Sequence, residues 1–382
     1  MKFLMGIIDN DTTRAFLGPI LDYLDDDSVT EILINAHDSI YIEREGKLSK
    51  TDSQFEDFDA LFAAIRNIAQ FVGRRINEED PILDARLPDG SRIHIVIPPC
   101  AKDGIYMAIR KFGSKPIQVK DLIAKGALSV EMARFLHIAI QLKKNLIVSG
   151  ATSSGKTTLL NAVSGFIPPD QRIVVIEDAS ELQLQQPHML RMEVLKNDRV
   201  HIEIRDLVKS SLRLRPDRIV IGEVRGPEAL DLLQAMTTGH AGSMSTLHAN
   251  NPKQALSRLE TLIMMNKLEI PLLAIRSQIA SAIQIVLQAN RLRDGSRRIT
   301  HISELVGLDE SGNYILNDLF VLEILRLRED GKFDTVFKPT GIRPSFVEEA
   351  ARSGIKMPDS LFDPEATSTH TNRKSVVKKF KE

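Results

Sequence analysis

Cysteine is almost absent from this 382-residue chain, which contains only Cys100. A single cysteine excludes a disulfide framework within the chain and a zinc module built from four cysteines. Cys100 follows two prolines, and no neighbouring residue in the sequence suggests that its thiol is a nucleophile. The chemistry of the protein must therefore depend on other residue types.

Long apolar runs and an excess of charge of one sign are also absent. No run approaches the roughly 18–20 apolar residues that a helix needs to span a bilayer. The apolar stretch before Asp9 is shorter than the core of a signal peptide, so we expect a cytoplasmic protein. The formal net charge of −1 gives no overall field that favours nucleic acid.

The first part of the chain, residues 1–114, shows the patterns of an α+β domain. Apolar segments at 27–35 and 39–43 flank turn residues and predict a hairpin. Apolar spacing over residues 55–75 predicts an amphipathic helix. Further strands are predicted at 93–97 and 105–112.

Residues 115–126 are predicted to form a linker, after which helices alternate with apolar strands. The strand candidates are residues 146–149, 173–176, 219–222 and 243–246. Such alternation predicts an α/β domain over residues 127–362, with a mostly parallel sheet covered on both faces. Residues 363–382 lack apolar periodicity and are expected to form a disordered basic tail.

The most informative motif is G-x-x-x-x-G-K-T, which runs from Gly150 to Thr157. A short apolar run precedes it and a helix-like segment, Leu159 to Val163, follows it. A strand, a glycine-rich turn and a helix N-terminus form a phosphate cradle, because backbone N–H groups and the helix dipole both favour an anion there. A loop that carries a lysine by chance would not need these flanks, so we conclude that the chain binds a nucleoside triphosphate.

Each position of this loop has an expected role. The N–H groups of residues 151–156 should point at the phosphates, and Lys156 should reach the β- and γ-phosphates. The hydroxyl of Thr157 should ligate Mg²⁺. The predicted nucleotide-binding residues are Gly150, Ala151, Thr152, Ser153, Ser154, Gly155, Lys156, Thr157 and Thr158.

Carboxylates follow two of the predicted strands. Glu223 ends the run Arg218–Glu223, where an acid is expected to hold the Mg²⁺ shell or to polarise the attacking water. Glu177 and Asp178 end the preceding strand, and Glu181 follows a turn later. Either Glu177 or Glu181 is a candidate general base, whereas Asp178 is equally well explained as a helix N-cap.

Two histidines flank the predicted strand at 243–246. His248 is expected to donate a hydrogen bond to the γ-phosphate and so to sense it, and His240 is a candidate for orienting a carboxylate.

Three basic residues, Arg205, Lys209 and Arg213, are spaced four apart and lie on one helical face. This stripe is either simply solvated or part of a subunit interface.

Together these segments resemble the superfamily of secretion ATPases that includes the type II and type IV secretion and type IV pilus motors. The histidine segment, Thr238–Pro252, and the acidic segment, Ile176–Leu182, are similar to motifs of that superfamily. The segment Leu292–Ile302 resembles the branch of CpaF/TadA-type ATPases, which power Flp/Tad pilus assembly.

The resemblance implies a RecA-like C-terminal domain, a PAS-like N-terminal domain and a homohexameric ring. It implies an ATPase that uses ATP and Mg²⁺ and acts with a platform protein at the cytoplasmic face of the inner membrane, held there through partners. It also implies that arginines of the N-terminal domain, here Arg92 and Arg110, reach the phosphates. The proposed catalytic set is Lys156, Glu177, Glu223, His248, Arg92 and Arg110.

Two other functional classes remain as alternatives. A nucleotide-gated adaptor would bind ATP with little turnover, which the presence of Glu177 and Glu223 disfavours. A DNA-transfer ATPase of a conjugation system would contact nucleic acid. The near-neutral charge and the lack of interleaved aromatic residues disfavour direct nucleic-acid binding.

Overall fold

A computed structural model describes residues 16–44, 46–87, 90–111, 116–196, 200–266, 268–365 and 368–369. The chain divides into two units, residues 1–115 and 116–382. The first unit contains one hydrophobic cluster and the second contains two. Within the described ranges, no helix is both long enough and apolar enough to cross a membrane.

The first unit is built on an antiparallel sheet. A 3₁₀ turn, Gly18–Ile20, and helix α1, Leu21–Asp25, precede the strands. The strands are β1 (Val29–Ala36), β2 (Ser39–Arg44), β3 (Lys47–Lys50), β4 (Ile82–Arg86), β5 (Arg92–Val96) and β6 (Tyr106–Arg110). Their order is β3-β2-β1-β6-β5-β4. The predicted hairpin is confirmed, since β1 and β2 pair from Val29↔Arg44 to Ala36↔Ser39.

One helix, α2 (Phe58–Phe71), supplies the apolar face that covers this sheet. The Asp57 side chain accepts a hydrogen bond from Ala60 N–H at 2.8 Å and begins the helix as its N-cap. Leu61, Ile65 and Ile68 are fully buried in the same cluster as the strand residues. The amphipathic helix predicted at 55–75 is therefore confirmed, with bounds a few residues narrower.

The second unit contains a ten-stranded sheet within its described residues. Its strands are β7 (Leu146–Gly150), β8 (Ile173–Glu177), β9 (Met189–Glu193), β12 (Arg218–Ile221), β13 (Met244–Leu247), β14 (Ile285–Arg291), β15 (Arg297–Leu308), β16 (Tyr314–Leu327), β17 (Phe333–Pro339) and β18 (Ser368–Thr369). The short strands β10 (Leu195–Lys196) and β11 (His201–Ile202) pair separately. The sheet order is β18-β17-β16-β15-β14-β7-β13-β12-β8-β9.

The sheet is parallel in one half and antiparallel in the other. The strands from β14 through β7, β13, β12 and β8 to β9 are parallel, which confirms the four predicted strands. The strands from β14 to β18 pair antiparallel. Sequence analysis did not predict this extension, because alternating polar and apolar strands carry a weaker signal than continuous apolar runs.

Helices cover both faces of the parallel strands. They are α3 (Val119–Ala124), α4 (Val130–Gln141), α5 (Lys156–Ser164), α6 (Ile204–Ser211), α7 (Glu228–Thr237), α8 (Pro252–Met264), α9 (Leu272–Ala282) and α10 (Val347–Arg352). Alternate residues of each central strand enter different clusters: Leu146 and Val148 face α3, α4 and α5, whereas Ile147 faces α6 to α9. The prediction of a sheet buried on both faces is confirmed.

Two segments differ from their sequence-based descriptions. Part of the predicted linker at 115–126 forms α3, and Val119 and Leu122 are buried in the core of the second unit. Within the predicted tail, Ser368 and Thr369 form the edge strand β18 against β17. Segments as short as these lack the length that periodicity needs. The basic residues after Thr369 lie outside the described residues.

An aromatic cluster joins α4 to the segments that follow the sheet. The Phe135 ring lies 5.6 Å from that of Phe320 and 6.0 Å from those of Phe346 and Phe362, measured between centroids. All four side chains are at most 4% exposed. Edge-to-face and tilted contacts of this kind add to the stabilisation by buried apolar area.

We expect Phe135→Ala to lower the free energy of unfolding of the second unit by about 3–5 kcal/mol, because it leaves a cavity among three rings. Denaturant unfolding followed by circular dichroism measures this loss. Leu325→Ala is the control, because Leu325 is 56% exposed and its truncation should change stability by no more than about 0.5 kcal/mol. Equal losses in the two variants would contradict the assignment of Phe135 to the core.

Candidate functional site

The glycine-rich loop lies at the carboxyl edge of the parallel strands. β7 ends at Gly150, and α5 begins at Lys156, three residues earlier than the helix-like segment in the sequence suggested. Ser153 has φ +59° and Gly155 has φ +93°, so the chain turns through the left-handed region twice. A Cβ on Gly150 would collide with the carbonyl oxygen of Ala289 and the hydroxyl of Ser154. The backbone of the loop therefore requires glycine at Gly150.

Lys156 is buried at the start of α5, with 7% of its surface exposed. Its Nζ donates to the carbonyl of Ala151 at 3.1 Å, so the side chain folds back over the loop. The same Nζ lies 3.3 Å from Nδ1 of His248. An ammonium at the start of a helix, beside the backbone of a glycine-rich loop, is placed to receive an anion.

Glu223 follows β12 at the same edge of the sheet. The residues on either side of it are tied to the end of β13. The Thr246 hydroxyl donates to the Gly222 carbonyl at 2.7 Å, and Val224 N–H donates to the Thr246 carbonyl at 2.9 Å. These bonds fix the backbone on both sides of Glu223 and hold this segment against the end of β13.

His248 connects Glu223 to the loop lysine. Its Nε2 lies 2.9 Å from Oε1 of Glu223, and its Nδ1 faces Lys156. Because an ammonium can only donate, Nδ1 is the acceptor and the proton of the neutral ring is on Nε2. Burial lowers the pKa of His248, and the positive charge of Lys156 lowers it further, against an opposing effect of Glu223.

Two supporting residues were not identified from the sequence. Arg225 donates from Nη2 to Glu223 at 2.7 Å, and its Nη1 lies 3.6 Å from Asp178. The hydrogen bond to Glu223 raises the pKa of Arg225. Buried Gln288 on β14 donates to the carbonyl of Ala249, the residue after His248, at 3.2 Å. For Arg225, the available signal in the sequence was its position two residues after Glu223. No sequence signal marks Gln288.

Glu177 has a structural task that the sequence did not reveal. The side chain is 4% exposed, and its Oε1 accepts from the N–H groups of Glu181 and Leu182 at 2.9 and 3.0 Å. Burial raises the pKa of Glu177, against the effect of these two hydrogen bonds. Residues 178–188, all described, contain no helix, so the interpretation of Asp178 as a helix N-cap is wrong.

His240 lies at the opposite edge of the sheet from the loop. It precedes β13, whereas His248 follows β13, and the strand separates the two rings. Its carbonyl accepts from the Ser243 hydroxyl at 2.7 Å. His240 therefore lies away from the carboxylates beside the glycine-rich loop, because a strand places its two flanking segments at opposite ends, and its role in orienting another carboxylate stays a prediction.

The basic stripe is paired within the second unit at two of its three positions. Nε of Arg205 lies 2.9 Å from Oδ2 of Asp231, and Nζ of Lys209 lies 3.9 Å from Oδ1 of the same residue. Asp231 belongs to α7, so these contacts join α6 to α7. Arg213 is exposed beyond the end of α6. Arg205 and Lys209 thus help to hold α6 against α7, and the three basic residues do not form one continuous solvated face.

In the first unit, the two predicted arginines are direct neighbours. Arg92 on β5 is opposite Arg110 on β6, and Arg110 is opposite Glu31 on β1. Nε of Arg110 lies 3.9 Å from Oε1 of Glu31, and 60% of its side chain is exposed. Like charges opposite each other in a sheet are unfavourable, so this row of one acid and two arginines is suited to an added anion.

The donors beside the loop fit Mg²⁺. Among the residues that the structure describes, no cluster of three or more His, Cys, Asp or Glu side chains is placed to hold a metal. Oε1 of Glu223 is buried without an aligned hydrogen-bond donor, and Thr157 lies in the first turn of α5. Mg²⁺ usually takes one or two protein ligands together with water and phosphate. A single carboxylate and a hydroxyl therefore suit a metal that enters with a nucleotide.

The parallel strands, the glycine-rich loop that leads into α5 and the acidic strand ends define a RecA-like domain. A solved structure with this fold is the ATPase DotB of Legionella pneumophila, with a TM-score of 0.52 and 19% identity. The similarity covers 78% of this chain and 82% of DotB. It supports the predicted class of fold.

A family model described as "Type II/IV secretion system protein" matches residues 14–306, and the chain belongs to this family. A "Putative conjugal transfer protein" of Mycobacterium tuberculosis is 36% identical over 77% of this chain and 85% of its own length. PtlH, a type IV secretion system protein of Bordetella pertussis, is 34% identical over 72% of this chain and 90% of its own length. The chain is an ATPase of this family.

The lowered pKa of His248 predicts a pH dependence of stability. Below the ordinary value of 6.5, the unfolded chain binds the proton before the folded protein does, so the free energy of unfolding falls as the pH falls through this window. We expect a contribution of at most about 1 kcal/mol, because 42% of the side chain is exposed and solvent screens it. Chemical denaturation of wild type and His248→Asn at neutral and acidic pH measures it.

The control for this experiment is His37→Asn, which changes a histidine in the β1–β2 turn of the first unit. This variant should keep the acid sensitivity of the wild type. His248→Asn should lose part of it. The same pH dependence in all three proteins would contradict the assignment of a neutral His248 ring between Glu223 and Lys156.

Proposed function

We propose that this protein is a homohexameric, Mg²⁺-dependent ATPase motor that drives Flp/Tad-type pilus assembly or type II/IV secretion. It would act at the cytoplasmic face of the inner membrane and bind a platform protein there. The observation that supports this most directly is the contact chain Lys156–His248–Glu223 at the carboxyl edge of the sheet. It brings together residues of three sequence motifs. The two that are farthest apart in sequence, Lys156 and His248, are separated by 92 positions.

The contact chain suggests how binding starts. Nζ of Lys156 contacts the carbonyl of Ala151 in its own loop and Nδ1 of His248. A phosphate anion is a stronger partner for an ammonium than either of these neutral acceptors. Lys156 would therefore turn to the phosphates and release Nδ1 of His248. His248 would then report the presence of nucleotide to Glu223.

Thr157 and Glu223 are the residues that would hold Mg²⁺. Bound there, Mg²⁺ would supply positive charge that neutralises the phosphates. Glu223 is better placed than Glu177 to prepare the attacking water, because Glu177 already uses Oε1 to hold the backbone of Glu181 and Leu182. Glu177 would then keep the acidic segment in position, and Glu223 would orient the attacking water.

Arg92 and Arg110 are proposed to bind phosphate oxygens of the nucleotide. Guanidinium groups remain charged and bind phosphate oxygens with two hydrogen bonds. Hydrolysis of the nucleotide would supply the mechanical work, which would be transmitted to the membrane platform.

A DNA-transfer motor of a conjugation system is the second candidate, favoured by the name of one relative. The mycobacterial relative is named for conjugal transfer and PtlH for type IV secretion. The Flp/Tad assignment is supported by the arginine-rich segment Leu292–Ile302.

Deletion of the gene distinguishes the pilus motor from the conjugation motor. Loss of surface pili with normal DNA transfer supports the pilus motor, and loss of DNA transfer with normal pili supports the conjugation motor.

We expect Lys156→Ala to lower kcat/KM for ATP by at least about 100-fold, since it removes a charge that stabilises the transferring phosphate. Glu223→Gln should lower kcat by a similar factor and leave ATP binding nearly unchanged. Steady-state hydrolysis and titration with a fluorescent ATP analogue measure the two effects. Lys120→Ala, at an exposed lysine of α3, is the matched control. Equal hydrolysis by all four proteins would exclude the proposed active site.

Arg110→Gln should lower kcat/KM by about ten- to a hundred-fold, the effect of losing a hydrogen bond to a charged group. The change should depend on assembly, so hydrolysis is measured together with the oligomeric state by light scattering. Arg75→Gln, at an exposed arginine of the same unit, should behave like wild type. Full activity of Arg110→Gln in an intact ring would show that this arginine does not reach the nucleotide.

A further inference from the structure

The hairpin between β14 and β15 lies beside the glycine-rich loop. β14 pairs in parallel with β7, and Ala289 is opposite Gly150, so the chain after Ala289 continues past the same edge as the loop. The turn is closed by Leu292 N–H, which donates to the Ser296 carbonyl at 2.8 Å. Asp294 accepts from Ser296 N–H at 2.9 Å and from Phe333 N–H at 3.0 Å. The hairpin is thus held on two sides.

Arg297, the first residue of β15, contacts the loop itself. Its Nε donates to the carbonyl of Ser153 at 2.9 Å. Its Cδ lies 3.3 Å from the point that a Cβ on Gly155 would occupy. Ser153 and Gly155 are the two residues at which the loop turns through the left-handed region. One side chain therefore supports the loop at the positions that determine its shape.

Most of the donor capacity of Arg297 is still available. A guanidinium has five N–H donors, and the Ser153 carbonyl takes one of them. Within the described residues, neither terminal nitrogen of Arg297 makes a hydrogen bond or an ion pair. By contrast, Nη1 of the neighbouring Arg298 donates to the carbonyl of Lys125 at 2.9 Å.

The charge around Arg297 also favours an anion. Residues 291–298 contain four arginines and one aspartate, and that aspartate, Asp294, is occupied by Ser296 and Phe333. A concentration of positive charge beside backbone N–H groups attracts phosphate. The hairpin extends the electropositive surface of the loop on the side away from β13.

We propose that Arg297 is an additional phosphate-binding residue of the nucleotide site, which braces Ser153 through Nε and donates from its terminal nitrogens to an oxygen of the bound triphosphate. This inference rests on the proposed function of the loop. It means that the same side chain sets the shape of the loop and contributes charge to the ligand. A lysine cannot do both, because it has a single donor centre.

The test compares Arg297→Gln, Arg297→Lys and Arg293→Gln. Arg293 is exposed in the same hairpin and has the same charge, and it makes no side-chain contact of its own with the loop. Isothermal titration measures the affinity for ATP and for inorganic tripolyphosphate. We expect Arg297→Gln to bind both ligands about ten- to a hundred-fold more weakly, with unchanged stoichiometry. Arg297→Lys should show an intermediate loss, and Arg293→Gln should match wild type.

The two ligands distinguish contacts to phosphate from contacts to the base or sugar. Wild-type affinity of Arg297→Gln for tripolyphosphate would overturn the proposal, as would an equal loss in Arg293→Gln. Lys156→Ala serves as the reference for the loop. If Lys156→Ala also keeps wild-type affinity, the loop function itself fails. If Lys156→Ala loses binding while Arg297→Gln keeps it, only the role of Arg297 fails.

Discussion

The site depends on the parallel alignment of β7, β13 and β12. In such a sheet the carboxyl ends of the strands meet at one edge, and the registers Thr246↔Val148 and Val220↔Met244 bring the loop, the histidine segment and the acidic segment together there. Two hydrogen bonds between Thr246 and the backbone on either side of Glu223, one donated by the Thr246 hydroxyl and one accepted by its carbonyl, fix the acid against β13. A change of register in any of these strands would separate Lys156, His248 and Glu223.

Around this edge, three side chains hold the segments that follow the strands. Gln288 holds the backbone after His248, Arg225 holds Glu223, and Glu177 holds the turn that follows β8. Preorganisation of this kind matters because a phosphate-binding site works through fixed charges and dipoles. The two histidines illustrate the selectivity of the arrangement, since only His248 follows β13 and reaches the charged groups, whereas His240 precedes it.

Sequence reasoning identified the strands and motifs that are strong local signals. The loop from Gly150 to Thr157 needs particular residues at particular positions, and the central strands are continuous apolar runs that are buried on both faces. The antiparallel strands after β14 were not predicted, because their polar and apolar residues alternate and resemble those of exposed segments. Helix α3 and strand β18 are short, and their stability comes from contacts with distant residues rather than from local pattern.

The sequence by itself therefore determined the α/β class with a mostly parallel sheet, the loop, and the acidic and histidine residues that follow the strands, because these depend on local spacing, whereas the RecA-like fold was implied by the resemblance to the secretion ATPases. Only the tertiary structure decided which histidine belongs to the site, that Glu177 supports a turn, and that Arg225 and Gln288 position their neighbours. It also brought Arg297 to Ser153 across more than 140 residues of chain. Contacts of this kind arise from strand order and register, and no local pattern in a single sequence specifies which strands become neighbours.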